Sequence, residues 1–242
     1  MKLRKGQSYA VVTGDVIGSR KLSLDQRAHL VRTLRRASRQ LHEHLQDCVP
    51  FEVDFFRGDS WQFVVSKPER SVRAALFFRA YLISQMARRT ADTRLAIGIG
   101  PIDFLPQKAI STGDGEAYRR SGIALDKMPR GTRMRIDGPR AIGSLDMSTA
   151  DVLVRLIDAI ARDWTDRQAN AVCGALLHWK QVEIASVWFK GAVTQQAVAQ
   201  HLERAGWNAV GAALTHIEES WLIERPGKSE PAPIQGTQLQ SP

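Results

Sequence analysis

Apolar positions recur along the first part of this chain with two alternating periods. Tyr9 to Thr13 is a short, continuously apolar run, as expected of a buried strand. Leu30, Leu34, Ala37, Leu41 and Leu45 then repeat at spacings of three and four, which predicts a helix over Leu24 to Leu45. Arg32, Arg35, Arg36 and Arg39 fall on another face of that helix. Phe51 to Phe56 and Trp61 to Val65 read as strands joined by Arg57-Gly58-Asp59-Ser60, a hairpin with Asp59 at its tip. Pro68 opens a second helix to about Arg89, through Val72, Ala75, Leu76, Arg79, Leu82, Ile83 and Met86. Arg94 to Gly100 interleaves apolar residues with Ala and Gly, a strand against which something packs closely. After a Pro101 to Pro106 loop, Ser111 to Glu116 starts a helix with its body over Ala117 to Met128, and Thr132 to Ile136 is a last strand.

The order β-α-β-β-α-β-α-β extends a split βαβ unit, so the predicted fold class is α+β, a ferredoxin-like antiparallel sheet domain over residues 1–145. From Ser148 the period is helical throughout, with Val152, Leu153, Leu156, Ile157 and Ile160 on one face. Further helices are expected from Thr165 to Trp179, Val182 to Trp188, Thr194 to Ala205 and Ala209 to Leu222. Residues 146–224 therefore form a small all-α domain. The remainder, 225–242, is rich in Pro, Gly, Gln and Ser and reads as a disordered tail.

Composition narrows the function classes. The chain has 242 residues, 43% of them hydrophobic, enough for one good core or two small domains. No stretch approaches the roughly 18 apolar residues of a membrane span, and the basic start leads into a strand, so a cytoplasmic protein with no membrane partner is expected. Cys48 and Cys173 are isolated and read as free buried thiols, which puts any metal on oxygen ligands. The net charge of +9 is unevenly spread: from Asp151 on there are 8 Lys and Arg against 10 Asp and Glu, and before it 26 against 15. A polyanionic partner belongs to the N-terminal part.

Asp15 and Asp59 end two apolar runs beside glycines, and the predicted topology makes them neighbours. Two such carboxylates can hold a divalent cation, Mg²⁺ or Mn²⁺, on a nucleotide. The plainer alternatives are an Asx turn for Asp15 and an ordinary hairpin-tip residue for Asp59. Arg20 and Lys21, directly after the Gly18 turn, are phosphate candidates.

Asp15-Val16-Ile17-Gly18-Ser19 resembles the Asp-Ile-x-Gly-Phe/Ser signature of class III nucleotidyl cyclases, and Gly58-Asp59 resembles the Gly-Asp of their central hairpin. Gly98-Ile99-Gly100-Pro101 followed by Gly113-Asp114 is similar to later cyclase motifs. Over most of the chain the sequence resembles the SatD family, through Val12 to Lys21, Arg57 to Ser60 and Asp114 to Gly122. The cyclase resemblance implies metal roles for Asp15, Asp59 and the Val16 carbonyl, nucleotide contacts from Gly18, Ser19, Arg20, Lys21, Asp114 and Glu116, and a homodimer. Where cyclases carry their transition-state Asn and Arg, this chain has Ala117 and Ser121, so no catalytic residue is assigned. For Asp114 and Glu116 the alternative is a charged first helical turn.

Glu183-Ile184-Ala185 with Val193 to Leu202 resembles bacterial helix-turn-helix modules, although the Val187 to Val193 turn, containing Trp188 and Phe189, is longer than the tight form. The resemblance implies that Thr194 caps a recognition helix, that Ala197, Val198 and Leu202 form its core face, and that Gln195, Gln196, Gln200, His201 and Arg204 meet duplex DNA. The expected function is a ligand-responsive DNA-binding regulator. The alternatives are a divergent nucleotidyl cyclase or other nucleotide-processing enzyme with a helical interaction domain, or a domain that only dimerises.

Overall fold

A computed structural model describes residues 2–4, 6–56, 58–86, 91–106, 108–188 and 191–222. The tail expected over 225–242 lies outside the described residues, as do Arg57 and Phe189. Five strands form the main sheet, in the order β2-β3-β1-β4-β7. Their ranges are β1 Tyr9–Ile17, β2 Asp54–Phe56, β3 Ser60–Val65, β4 Asp92–Gly100 and β7 Met134–Asp137. Neighbours are antiparallel except β4 and β7, which run parallel. This is the split βαβ arrangement with one further parallel strand. Two minor hairpins not expected from the sequence, β5 Ile102–Phe104 with β6 Asp114–Gly115 and β8 Ala141–Ile142 with β9 Leu145–Asp146, bracket that last strand.

The helices are α1 Leu24–His44, α2 Ser71–Gln85, α3 Glu116–Asp126, α4 Met147–Ala161, α5 Asp166–Leu176, α6 Gln181–Ser186, α7 Gln195–Arg204 and α8 Trp207–Leu222. Ser23 starts α1 with a capping box, its hydroxyl accepting from the Gln26 amide while the Gln26 side chain accepts from the Ser23 amide. Helix α3 lies on one face of the sheet, against Ala96 through Leu125 and Met128. Its close approach answers the Ala and Gly pattern of β4: a Cβ on Gly98 would stand 2.2 Å from the Ala117 carbonyl oxygen and 2.3 Å from the Ser121 nitrogen. Helices α1 and α2 cover the other face, over Val12, Val16, Trp61 and Phe63.

Helix α2 is buried along nearly its whole length, two arginines included. Arg79 donates to both Asp92 oxygens at 3.0 Å and to Asp158 of α4 at 2.7 Å. Arg73 reaches Glu218 of α8 at 2.6 Å and the Leu176 carbonyl of α5 at 3.2 Å. Residue 145, where a boundary is expected, lies in β9. Helices beyond it share one continuous apolar core with the sheet's α1/α2 face, running from Ala10 and Val12 through Phe77 to Trp164, Leu214 and Trp221.

Candidate functional site

The end of β1 is built differently from the sequence expectation, in which the strand stops at Thr13. Pairing continues to Ile17, with Asp15 opposite Ser60 on β3 and Arg94 on β4. Gly14 explains part of the continuation: a Cβ there would meet the Trp61 ring at 2.3 Å. The bare backbone at Gly14 thus makes room for tryptophan, not for a ligand. The Trp61 indole donates to the Thr93 hydroxyl at 3.0 Å, and that hydroxyl donates to the Asp15 carbonyl at 2.7 Å.

Because Asp15 sits inside a strand, the pleat decides which side it faces. Thr13, two residues earlier, bonds Ser121 of α3 at 2.9 Å, while Val16 packs into the α1/α2 core. Asp15 therefore lies on the α3 face. There Arg94 holds both carboxylate oxygens, at 2.8–3.0 Å. Asp15 in turn raises the Arg94 pKa above the ordinary guanidinium value.

Asp59 is adjacent in the chain pairing but points elsewhere. Its backbone carbonyl accepts the Val16 amide at 3.1 Å, so Val16 and Asp59 are neighbours as expected. Its carboxylate, however, accepts the Ser19 hydroxyl at 2.7 Å and lines a pocket of about 360 Å³ with Arg20, Arg27, Leu30, Val31 and Gly58. That pocket is on the α1 side of the hairpin. Gly18 and Gly58 both carry positive φ, 83° and 85°, the region that glycine enters without strain. Ser19–Lys21 form a single 3-10 turn after Gly18. Arg27 clips that turn to α1 by donating to the carbonyls of Leu22 and Arg20, both at 3.2 Å. Arg20 and Lys21 are exposed.

Asp114 and Glu116 are not brought to this pocket within one chain. Glu116 lies against Gly100, which pairs with Tyr9, whereas Asp15 pairs with Arg94. Six strand residues separate the two ends, roughly 20 Å. Both acids are engaged locally: Asp114 accepts from Arg119 at 2.8 Å, and Glu116 from Arg120 at 2.9 Å. Glu116 stands in the first turn of α3, whereas Asp114 precedes the helix in β6.

The donor set at the pocket suits a cation only in part. Among the described residues no three His, Cys, Asp or Glu side chains converge on a metal-sized space. Asp15 is paired with Arg94 on the α3 face while the Asp59 carboxylate meets Ser19, so the two carboxylates are not turned toward a common ion in this arrangement. Asp59 alone does fit, because Mg²⁺ is commonly held by one or two carboxylates together with its nucleotide's phosphates.

In the helical half, Thr194 caps α7 as expected, accepting the Ala197 amide at 3.2 Å. Val198 and Leu202 are buried and Ala197 is half-buried; Gln195, Gln196, Gln200 and Arg204 are exposed. His201 differs from the expectation of a DNA contact: it stacks on Trp188 with centroids 5.5 Å apart. Burial, then Arg167 and Arg204, lower its pKa. Both cysteines are free and buried, and desolvation pushes Cys48 up to about 12.

Sequence reasoning missed Arg94, Arg27 and the buried Thr13-Gln62-Ser121 group, in which Gln62 donates to Thr13. The available signal was polar side chains at positions where apolar runs continue around them.

No family model matches the sequence, and no curated protein matches it. Among solved structures, the guanylyl cyclase Cya2 is 12% identical, covering 54% of this chain and 74% of its own, with a TM-score of 0.36. A bacterial light-regulated adenylyl cyclase is 14% identical, covering 53% of this chain and 42% of its own, also at 0.36. The solved structures similar to this chain thus include nucleotidyl cyclases, at an identity and TM-score that carry no argument about what it binds.

Proposed function

We propose that the protein binds a nucleotide with a divalent cation between α1 and the β2–β3 hairpin, Asp59 facing the cation and Arg20 and Lys21 the phosphates. The observation that supports this most is the Asp59 carboxylate, held by Ser19 in a pocket that also presents Arg20, Arg27 and the positive-φ Gly58. Gly18 and Ser19 supply backbone and hydroxyl contacts at the turn. A bound Mg²⁺ or Mn²⁺ would screen the phosphates from Asp59. The likeness to the SatD family and to the cyclase signature belongs to the same reading, supported by the residues of 12–21 and 57–60. Binding is favoured over turnover, because Asp15, the second carboxylate a cyclase uses, is neutralised by Arg94. Incubation with ATP or GTP and Mn²⁺ checks this: turnover lost in Asp15→Ala would restore the enzyme reading. Calorimetric titration with MgATP and MgGTP should show saturable binding by the wild type, weakened about tenfold or more in Asp59→Ala. No binding by either protein, or equal binding by both, would count against the site.

A second reading is favoured by the unpacked face of α7: the helical half contacts duplex DNA, as a homodimer, through Gln195, Gln196, Gln200 and Arg204. Its acidic balance leaves phosphate attraction to the basic N-terminal half. Replacing Gln195, Gln196 and Arg204 by alanine should lower affinity for a selected duplex by about tenfold or more while leaving nucleotide binding intact. Unchanged DNA affinity would remove the assignment.

A further inference from the structure

A second cavity, of about 450 Å³, lies where the sheet half meets the helical half, bounded by α1, α2, α5 and α6. Its walls are aromatic. Phe77 and Tyr81 stand with ring centroids 6.2 Å apart, and Trp179, edge-on to His44 at 5.3 Å, closes another side. Ile184 of α6 and Val187 just beyond it complete the apolar surface. Three polar groups share the lining: the Arg36 guanidinium, the Tyr81 hydroxyl and the Asn170 side-chain amide. None of the three has a hydrogen-bond or ion-pair partner among the described residues. Gln40 and Gln85 also line it, each donating one side-chain hydrogen bond, to Glu43 and Ser84.

Junctions between packed halves are common places for small-molecule sites, and such sites combine mostly apolar walls with a few placed polar groups. The chemistry selects the ligand further. One guanidinium matches one carboxylate, which it binds in a planar fork. A purely apolar occupant would cover the half-buried Tyr81 and Asn170 without giving their polar groups partners, and would leave the exposed Arg36 unused. A polyphosphate would find Arg36 as the one cation in the lining, with Arg39 near enough to act on Tyr81 but outside it, and three aromatic rings. We propose that this cavity binds a small planar organic acid, its ring held among Phe77, Tyr81 and Trp179 and its carboxylate on Arg36, with Tyr81 and Asn170 completing the hydrogen bonds. Such a ligand touches Ile184 on the helix that precedes α7, so its occupancy is felt where the helix-turn-helix-like segment begins.

The test uses the full chain with salicylate and indole-3-acetate as probes, against benzyl alcohol and indole as uncharged counterparts. Calorimetry should show saturable binding of at least one acid, with its uncharged counterpart about tenfold weaker. Arg36→Gln, at an exposed position where the fold is expected to survive, should lose a similar factor, and Tyr81→Phe a smaller one. Hydrogen exchange should slow in α2 and α6 on binding the acid. Absence of saturation by both acids, equal affinity for acid and uncharged probe, an unaffected Arg36→Gln variant, or protection confined to other segments would each overturn the proposal.

Discussion

Replacing Arg79 with methionine is expected to destabilise the protein by about 3–5 kcal/mol, because it strands the buried Asp158 carboxylate and removes the main partner of Asp92. The Arg79 side chain is fully buried and Asp158 is 3% exposed. Asp158 also accepts the Arg133 amide at 2.8 Å, which holds it in the interior, whereas Asp92 accepts the Thr93 amide at 2.8 Å and is partly exposed. The lost guanidinium joins α2, β4 and α4, which makes it a tie between the sheet and the helices beyond residue 145. Chemical denaturation gives the magnitude. Adding Asp158→Asn to Arg79→Met should restore part of the loss, since the amide oxygen still accepts from Arg133 while the buried charge is gone. A single-variant loss below about 1 kcal/mol would mean that water or rearrangement reaches the pair, contrary to the burial described.

Gly98→Ala is expected to cost about 3 kcal/mol, toward the upper end for overpacking. The added carbon meets backbone on both sides, the Ala117 carbonyl and the Ser121 amide, so no rotamer change relieves it. Helix α3 would have to retreat by about 1 Å to reach ordinary contact distance. That retreat pulls Ser121 from Thr13, leaving the Gln62 group, whose Oε1 already lacks a partner among the described residues, further unsatisfied. Gly122→Ala supplies the control on the same helix. Nothing lies within 4 Å of its Cβ position, so the better helix former should stabilise by up to about 1 kcal/mol. If both substitutions have the same sign, the close packing of α3 on β4 is not what fixes Gly98.

Much of the sheet was legible because its signals are local. The alternating periods located β1, α1, β3, α2 and β4, and the small residues of β4 announced the close approach of α3. The adjacency of the β1 end and the central hairpin also followed from strand order, and the bond between the Val16 amide and the Asp59 carbonyl realises it. What did not follow was the side on which each carboxylate emerges. That depends on strand length to the residue: ending β1 at Thr13 leaves Asp15 free to turn in a loop, whereas pairing through Ile17 commits it to one face. The extension is secured by Trp61 over Gly14 and by Arg94 on Asp15, contacts between residues far apart in sequence. The placement of Asp114 and Glu116 escaped for a related reason. Their motif fixes a helix start, but only the packing of α3 along β4 shows that this start lies at the other end of the sheet. Arg79 fitted the apolar stripe of α2 in spacing, and its charge partners came from β4 and α4.

The proposed nucleotide site centres on Asp59 on the α1 side and not on an Asp15–Asp59 pair. Titrating MgATP and MgGTP into wild type, Asp59→Ala and Asp15→Asn tests it in one measurement. Asp59→Ala is expected to lose Mg²⁺-dependent affinity while Asp15→Asn, with its amide still beside Arg94, binds within about twofold of wild type. Equal and large losses in both variants would contradict it and return the two aspartates to a single shared cation.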